Sequence, residues 1–481
     1  MDKEYASYTT VDQKWVAQIP SHWEMKRLKG VFAMRKERNN PIQTDFILSL
    51  TAKQGVVPYA EKEGTGGNKP KDDLTQYNIC RENDLLVNCM NVVSGAAGVS
   101  KYYGAISPVY YAFYPREDEN IWYYHYIFRL ITFQRSLIGL GKGILMHESD
   151  EGVLTSVRMR ISMNYLGNVM LPIPPREEQD QIVRYLDWKV SEVNKLIAKR
   201  RKEIASLEEL KAKIINDAVI KGLRNAPLKH NEDVRWDIDY CSTWGLKRVR
   251  ELFSFRKGLS ITKANLEETG IPVISYGQVH SKKNTMVGLN DDILKFVNPS
   301  YLESNPSCLV EKGDFIFADT SEDKTGCGNC AYVDRGGNIF AGYHSIIAHP
   351  IVGTDNKYFA YLFKSPAWRY QIRKKVNGVK VYSITQQILK DAFVLVPSED
   401  EQREIVEYLD AACQKIDALI KKTEEKIAQL HDLKAAIISE TVTGKIDVRN
   451  IVIPEYEYEE EDSDEDSDID SDGDEIEEQE D

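Results

Sequence analysis

The chain has 481 residues, room for about three domains, and its 42 % hydrophobic content is ordinary for a soluble globular protein. Its formal charge of −13 misleads: residues 455–481 hold 18 acids and no base, and the rest carries 62 bases against 57 acids, a mildly basic body that permits a nucleic-acid surface without demanding one. Seven scattered cysteines, a polar N-terminus and no apolar run near the ~18 residues of a membrane span argue against a disulfide scaffold, a signal peptide and a membrane protein, and predict a cytoplasmic chain.

In chain order, a set of landmarks appears and then returns. Trp23-Glu24-Met25-Lys26-Arg27-Leu28, with Phe32, is echoed by Trp244-Gly245-Leu246-Lys247-Arg248-Val249 with Phe253. Asn83-Asp84-Leu85-Leu86-Val87 is matched by Gly313-Asp314-Phe315-Ile316-Phe317, a turn feeding a buried strand. The aromatic helix candidate Tyr123 to Arg129 parallels Tyr358 to Lys364, and Gly143 and Gly378 follow. Pro174-Pro175-Arg176-Glu177-Glu178-Gln179 then opens a helix, as does Pro397-Ser398-Glu399-Asp400-Glu401-Gln402, with Ile-Val and Tyr-Leu-Asp recurring at an offset of 223.

Both openings lead into a heptad pattern. The first seam reads Leu186, Val190, Val193, Ile197, Ile204, Leu207 and Ile214; the second reads Leu409, Cys413, Ile416, Ile420, Ile427, Leu430 and Ile437. Polar residues interrupt them at Arg200 and Lys211, and at Thr423 and Lys434. Two helices of roughly 40 residues, about 60 Å long, are expected to bury these seams against each other. The predicted organisation is α+β/α: a globular α/β domain over residues 1–175, a helix over 176–221, a second, similar domain over 222–395, a second helix over 396–446, and a disordered acidic tail over 447–481. Connectivity makes the helices antiparallel, with a domain at each end and an approximate two-fold axis. Such a caliper suits a duplex read at two half-sites one turn apart.

These residues resemble a known family. Trp15-Val16-Ala17-Gln18-Ile19-Pro20-Ser21-His22-Trp23 resembles the opening of the specificity (S) subunits of type I restriction-modification systems, and Leu171-Pro172-Ile173-Pro174-Pro175 with Glu178-Gln179 resembles their junction between target recognition domain and conserved helix. Leu395-Val396-Pro397 with Glu401-Gln402 resembles the second junction. The second half departs in having Cys241-Ser242-Thr243 before Trp244, without the expected proline, and the acidic tail lies outside the family pattern. The resemblance implies a non-catalytic subunit that binds double-stranded DNA, one half of a bipartite target per domain. It also implies docking of two methyltransferase (M) subunits on the helices, and then translocating nuclease (R) subunits. S-adenosylmethionine, ATP and magnesium would belong to those partners, and this chain would hold no cofactor.

The catalytic motifs weigh the same way. Gly139-Leu140-Gly141-Lys142-Gly143 lacks the spacing and hydroxyl of a phosphate loop, and Asn298-Pro299-Ser300-Tyr301 lacks the second proline of an amino-methyltransferase site and reads as a helix start. Cys327-Gly328-Asn329-Cys330 has no second cysteine pair, with Cys308, His344 and His349 as the available helpers, and His147 to Glu151 lacks a second histidine. The candidate DNA-binding residues are Arg35, Lys36, Arg38, Asn39, Asn68 and Lys69 in the first half, and Arg256, Lys257, Arg373, Lys374, Lys375 and Lys380 in the second. Cationic side chains neutralise phosphates, while Arg and Asn can fork onto base edges. Lys26, Arg27, Lys247 and Arg248 belong to the repeated frame and read equally as scaffold. Two other readings remain at this stage: a fused methyltransferase-nuclease with its own catalytic centre, and a coiled-coil scaffold that binds proteins.

Overall fold

The structure, a computed structural model, describes residues 4–52, 54–62, 70–144, 158–233, 236–351, 356–378 and 381–460. The chain forms two compact units, one of residues 1–201 with 425–481 and the other of residues 202–424. Each unit thus combines one recognition domain with half of each long helix.

The first long helix spans Arg176–Lys221 and the second Glu399–Val442. The repeated glutamine explains how both begin. Gln179 Nε2 donates to the Pro174 carbonyl at 2.9 Å, and Gln402 Nε2 donates to the Pro397 carbonyl at 2.9 Å. Both glutamines are buried, so each amide ties the entering chain to the first turn. The ends are equivalent too. Gly222 follows the first helix and Gly444 the second, with φ of 79° and 72°, the left-handed geometry that stops a helix. A Cβ on Gly222 would meet the Trp244 ring at 3.0 Å; on Gly444 it would meet Pro20 at 2.3 Å and Trp23 at 2.9 Å.

Within each unit the helices are antiparallel. In the first, Lys434 Nζ lies 3.3 Å from Asn194 Oδ1, and in the second Lys211 pairs with Asp417 and Arg224 with Glu404 at 2.8 Å. The seam side chains Leu186, Val193, Ile197, Leu409, Cys413 and Ile416 are buried, and Ile204, Leu207, Ile214, Ile420, Ile427, Leu430 and Ile437 are half-buried. The interruptions are accommodated: Lys211 and Lys434 reach polar partners, and Thr423 Oγ donates to its own helix at Leu419 O, 2.9 Å.

The recognition domains share a frame. A hairpin of Tyr8–Gln13 and Val16–Pro20 corresponds to Leu228–Asn231 with Ile238–Cys241. Glu24–Arg27 pairs with Met170–Ile173, as Gly245–Arg248 pairs with Phe393–Val396, so each domain's two ends are stitched together just before a long helix. The central antiparallel sheet runs Phe32–Met34, Tyr110–Pro115, Leu85–Asn88, Ala97–Val99 in the first unit. In the second it runs Phe253–Lys257, Ser345–Pro350, Phe315–Ala318, Cys330–Tyr332. Leu85–Asn88 and Phe315–Ala318 are buried throughout, and the turn before each holds a left-handed Asn83 or Gly313, residues that tolerate that geometry.

An aromatic helix, Ile121–Arg129 or Asn356–Lys364, fixes each sheet to the long helices. Tyr126 Oη donates to Asp187 at 2.7 Å, and Tyr361 Oη to Asp410 at 2.6 Å. Tyr123 Oη donates to the Val442 carbonyl at 3.0 Å and Tyr358 Oη to the Val219 carbonyl at 3.3 Å. The first unit's core is therefore closed by the second helix, with Val442, Ile446 and Val448 among its buried residues.

Residues 447–460 correct the expected tail boundary. Gln181 Nε2 donates to the carbonyls of Val448 (3.0 Å) and Ile451 (2.8 Å), and Asn194 Nδ2 to that of Glu459 (3.1 Å). Ser191 Oγ donates to the Glu457 carbonyl and accepts from the Glu459 amide, at 3.1 and 2.8 Å. The acidic composition concealed this, because the bonds are made by backbone, to which side-chain charge is irrelevant. Residues 461–481 lie outside the described residues. All seven cysteines are buried and unbridged, and no helix among the described residues is long and apolar enough to cross a membrane.

Candidate nucleic-acid interface

Two of the candidate arginines, Arg35 and Arg256, make ion pairs within the protein. Arg35 holds Asp84 through Nε at 2.6 Å and Nη2 at 2.8 Å, and Asp84 is almost wholly buried. Arg256, at the matching position, donates to Asp314 at 3.0 Å and to the Leu309 carbonyl at 2.8 Å. Each aspartate also accepts a backbone N–H from its own turn, Arg81 for Asp84 (2.8 Å) and Glu311 for Asp314 (2.9 Å). The hydrogen bond to Asp84 raises the Arg35 pKa, so its charge is locked in place. The surroundings differ: Tyr114 lies under the Arg35 guanidinium at 4.9 Å, whereas His349 Nδ1 contacts Asp314 at 2.7 Å. The same charge pair is built in both halves and engages Arg35 and Arg256 within the protein.

The DNA-binding reading of Asn39 is corrected by its burial. It is fully buried, donates to the carbonyls of Thr44 (2.9 Å) and Leu74 (3.3 Å), and accepts from the Gln43 and Thr44 amides. It closes a loop rather than facing a ligand. Lys36 and Lys257, each one residue beyond the frame arginine, are exposed. Arg38 is exposed while donating to the Gln76 carbonyl at 3.1 Å. Arg373 donates to the Thr325 carbonyl, Lys374 Nζ lies 4.3 Å from the Tyr370 ring centre, and Lys375 is half-buried. Asn68, Lys69 and Lys380 lie outside the described residues. In the frame, Arg248 donates to the Asp391 carbonyl and covers the Phe393 ring at 3.9 Å, and Arg250 pairs with Asp391 at 2.9 Å, both scaffold contacts.

One cluster in the second unit was missed. Tyr276, His280, Tyr343 and His344 have ring centres 5.6–6.3 Å apart where Phe315–Ala318 and Ser345–Pro350 meet their loops. His344 Nδ1 lies 3.1 Å from Asp319 Oδ1, and its imidazole is more than half exposed. The His344 backbone is left-handed, φ 52°, an uncommon geometry for a non-glycine residue. His280 Nε2 contacts the Thr320 carbonyl at 2.8 Å. No sequence motif marks these residues, since His280 and His344 are far apart in the chain and meet through the sheet. The first unit has no such cluster among its described residues at the corresponding strand ends, where Asn88 Oδ1 accepts from the Met90 amide at 3.0 Å.

No group of three or more His, Cys, Asp or Glu side chains suited to a metal ion occurs among the described residues. Cys327 and Cys330 are buried, and burial raises both thiol pKa values, the state of inert structural cysteines.

A duplicated frame of this kind defines a class, and comparison with known proteins gives it a family. The family model described as type I restriction modification DNA specificity domain matches residues 20–206 and again residues 241–429. The chain belongs to this family. It is 23 % identical over 301 residues to the type I restriction enzyme MjaVIII specificity subunit of Methanocaldococcus jannaschii, covering 59 % of this chain and 64 % of that protein. It is 24 % identical over 288 residues to the type I restriction enzyme EcoKI specificity subunit of Escherichia coli, covering 58 % of each. The matches thus span less than two thirds of either relative. A solved chain from work on complex assembly and conformational transition of the type I R-M system shares the fold, with a TM-score of 0.59 at 15 % identity, over 89 % of this chain and 99 % of that one.

Proposed function

We propose that this chain is the target-recognition subunit of a type I restriction-modification complex. Each recognition domain binds one half of a bipartite sequence in double-stranded DNA, and the paired helices dock two methyltransferase subunits, with nuclease subunits joining later. The chain itself performs no chemistry; S-adenosylmethionine, ATP and magnesium act on the partner subunits, in the cytoplasm. The observation that carries this reading is one frame built twice around different loops, in a chain of this family. Two copies of one reader with the same loops would favour a symmetric site, and unlike loops favour an asymmetric one. Exposed cations such as Lys36 and Lys257 supply phosphate contacts, and residues on the differing loops read bases.

The test is exchange of residues 222–395 for the matching domain of a relative, followed by mapping of modified bases in cells that also carry the methyltransferase partner. Replacement of one half of the methylated motif is expected, with the other half intact. Changes in both halves, or no methylated motif with the unexchanged chain, would overturn the proposal.

A further inference from the structure

One frame built twice shows where a backbone position is kept and its side chain is not. At the ends of the buried strands Phe315–Ala318 and Leu85–Asn88 the backbones agree. The Asp319 amide donates to the His344 carbonyl at 3.0 Å, and the Cys89 amide to the Val109 carbonyl at 3.1 Å. The Asp319 carbonyl accepts from the Ile384 amide at 2.7 Å, and the Cys89 carbonyl from the Ile161 amide at 2.9 Å. Asp319 therefore stands where the first unit has Cys89, and His344 where it has Val109. The aspartates that hold Arg256 and Arg35 precede the same strands at the opposite end.

The side chains at these matched positions differ. A carboxylate only accepts, so His344 Nδ1, 3.1 Å from Asp319 Oδ1, carries the proton between them. Thr320 Oγ1 donates to the same carboxylate oxygen at 2.8 Å. The imidazole lies against the rings of Tyr276 and Tyr343, with centres 5.6 and 6.0 Å away, and the Tyr276 amide donates to the Tyr343 carbonyl at 3.2 Å. With Nδ1 held, Nε2 is the nitrogen left for a ligand, and the uncharged ring offers it as a hydrogen-bond acceptor. The His344 side chain is 57 % exposed. Val109, 39 % exposed, offers methyl groups at the equivalent place.

Cations border both strand ends. Exposed Lys257 is level with Ile346, two residues from His344. In the first unit the Arg35 amide donates to the Ala112 carbonyl at 2.8 Å, which sets exposed Lys36 beside the strand that follows Val109. Arg160, next to Ile161, is exposed. Thr320 and Ser321 pair with Ser383 and Tyr382, which follow the cationic stretch Arg373 to Lys375, and Arg373 donates back to the Thr325 carbonyl. Such groups hold phosphates, and that sets base edges against the side chains beside them.

We propose that positions 109 and 344 are the equivalent base-reading positions of the two domains. His344 Nε2 accepts a hydrogen bond from the exocyclic amino group of an adenine or cytosine in the major groove, and Val109 packs on the methyl group of a thymine. This rests on the proposed function and goes further in naming, for each domain, a residue and the base group it recognises. Asp319 is a positioning residue that acts through the imidazole.

The full-length chain, expressed with its methyltransferase partner, first gives the methylated motif, and the exchange of residues 222–395 assigns its halves. Duplexes with single base analogues are then titrated with the purified complex. Removing one amino group in the half assigned to the second domain, with purine for adenine or 2-pyrimidinone for cytosine, should weaken binding about tenfold. Uracil for one thymine in the other half should weaken it about fourfold. His344→Ala should lose the first sensitivity and keep the second, and Val109→Ala the reverse. Asp319→Ala, which frees the ring to turn, should lose part of the first. Circular dichroism melting checks folding, and His344→Phe, a ring without a nitrogen, replaces His344→Ala if that variant unfolds. Analogue sensitivity retained in folded variants, or missing in the unsubstituted chain, would overturn the inference. So would a first half without thymine, or equal weakening on every sequence, the mark of a phosphate contact. Failure of the unsubstituted chain to yield a methylated bipartite motif would instead overturn the proposed function.

Discussion

In their frame the two units are alike in detail: an arginine at the end of the first strand, an aspartate in the turn before the buried strand, a tyrosine on the aromatic helix bonded to an aspartate on a long helix. Beyond the frame they diverge. The second unit builds a further four-stranded sheet from Lys295–Val297, Ile271–Ile274, Ile339–Ala341 and Leu309–Val310. The first has two-stranded pairings there, Leu48–Thr51 with Gly55–Pro58 and Asn78–Cys80 with Gly104–Ile106. The difference separates two jobs. Residues retained in both units hold the frame to the helices, and residues unique to one are free to vary with what that unit contacts.

The largest effect should come from breaking the frame. Asp84→Ala and Asp314→Ala each leave an arginine without its buried partner and a turn amide unsatisfied, costing about 3–5 kcal/mol. Differential scanning calorimetry should show the first lowering the melting of one unit and the second that of the other. Equal effects of both on one shared transition would break the comparison.

A smaller effect exploits a mismatch within the frame. His125 lies on the aromatic helix of the first unit where the second has Ala360. Burial, aided by Arg129, lowers the His125 pKa to about 3. The folded state then binds fewer protons than the unfolded state between about pH 6.5 and pH 3, so this contribution is present above the unfolded value and is lost as pH falls. About 2 kcal/mol of the first unit's stability should be gone by pH 5. His125→Leu should remove that loss, read as the pH dependence of its melting temperature, while the second unit is unaffected.

The smallest effect concerns the exposed lysines beside the frame arginines. Lys36→Ala and Lys257→Ala should each weaken non-specific DNA binding about fivefold at physiological salt and reduce the slope of log K against log salt by about 1. A change in sequence preference instead would make them base readers.

The repeat and the helix seams were legible in the sequence because they rest on spacing, which survives without coordinates, and the family through residues that resemble its motifs. The ion pairs of Arg35 and Arg256 were not. Both arginines stand in stretches rich in cations, and the aspartates that pair with them lie far along the chain, brought close only by sheet pairing. Their recurrence at matching positions was nonetheless a signal, since a residue kept in both halves serves what the halves share. The ring cluster at His344 carried no such signal, and the segment at 447–460 carried a contrary one in its acids.

The closure of the first unit by Val442, Ile446 and Val448 has a consequence for how the protein is made. The ribosome completes everything the second unit needs, through residue 424, before it supplies the last strut and core residues of the first. A message cut short within that final stretch would yield a product with one finished domain and one left open. Such a fragment would expose apolar surface to chaperones and proteases instead of competing for DNA.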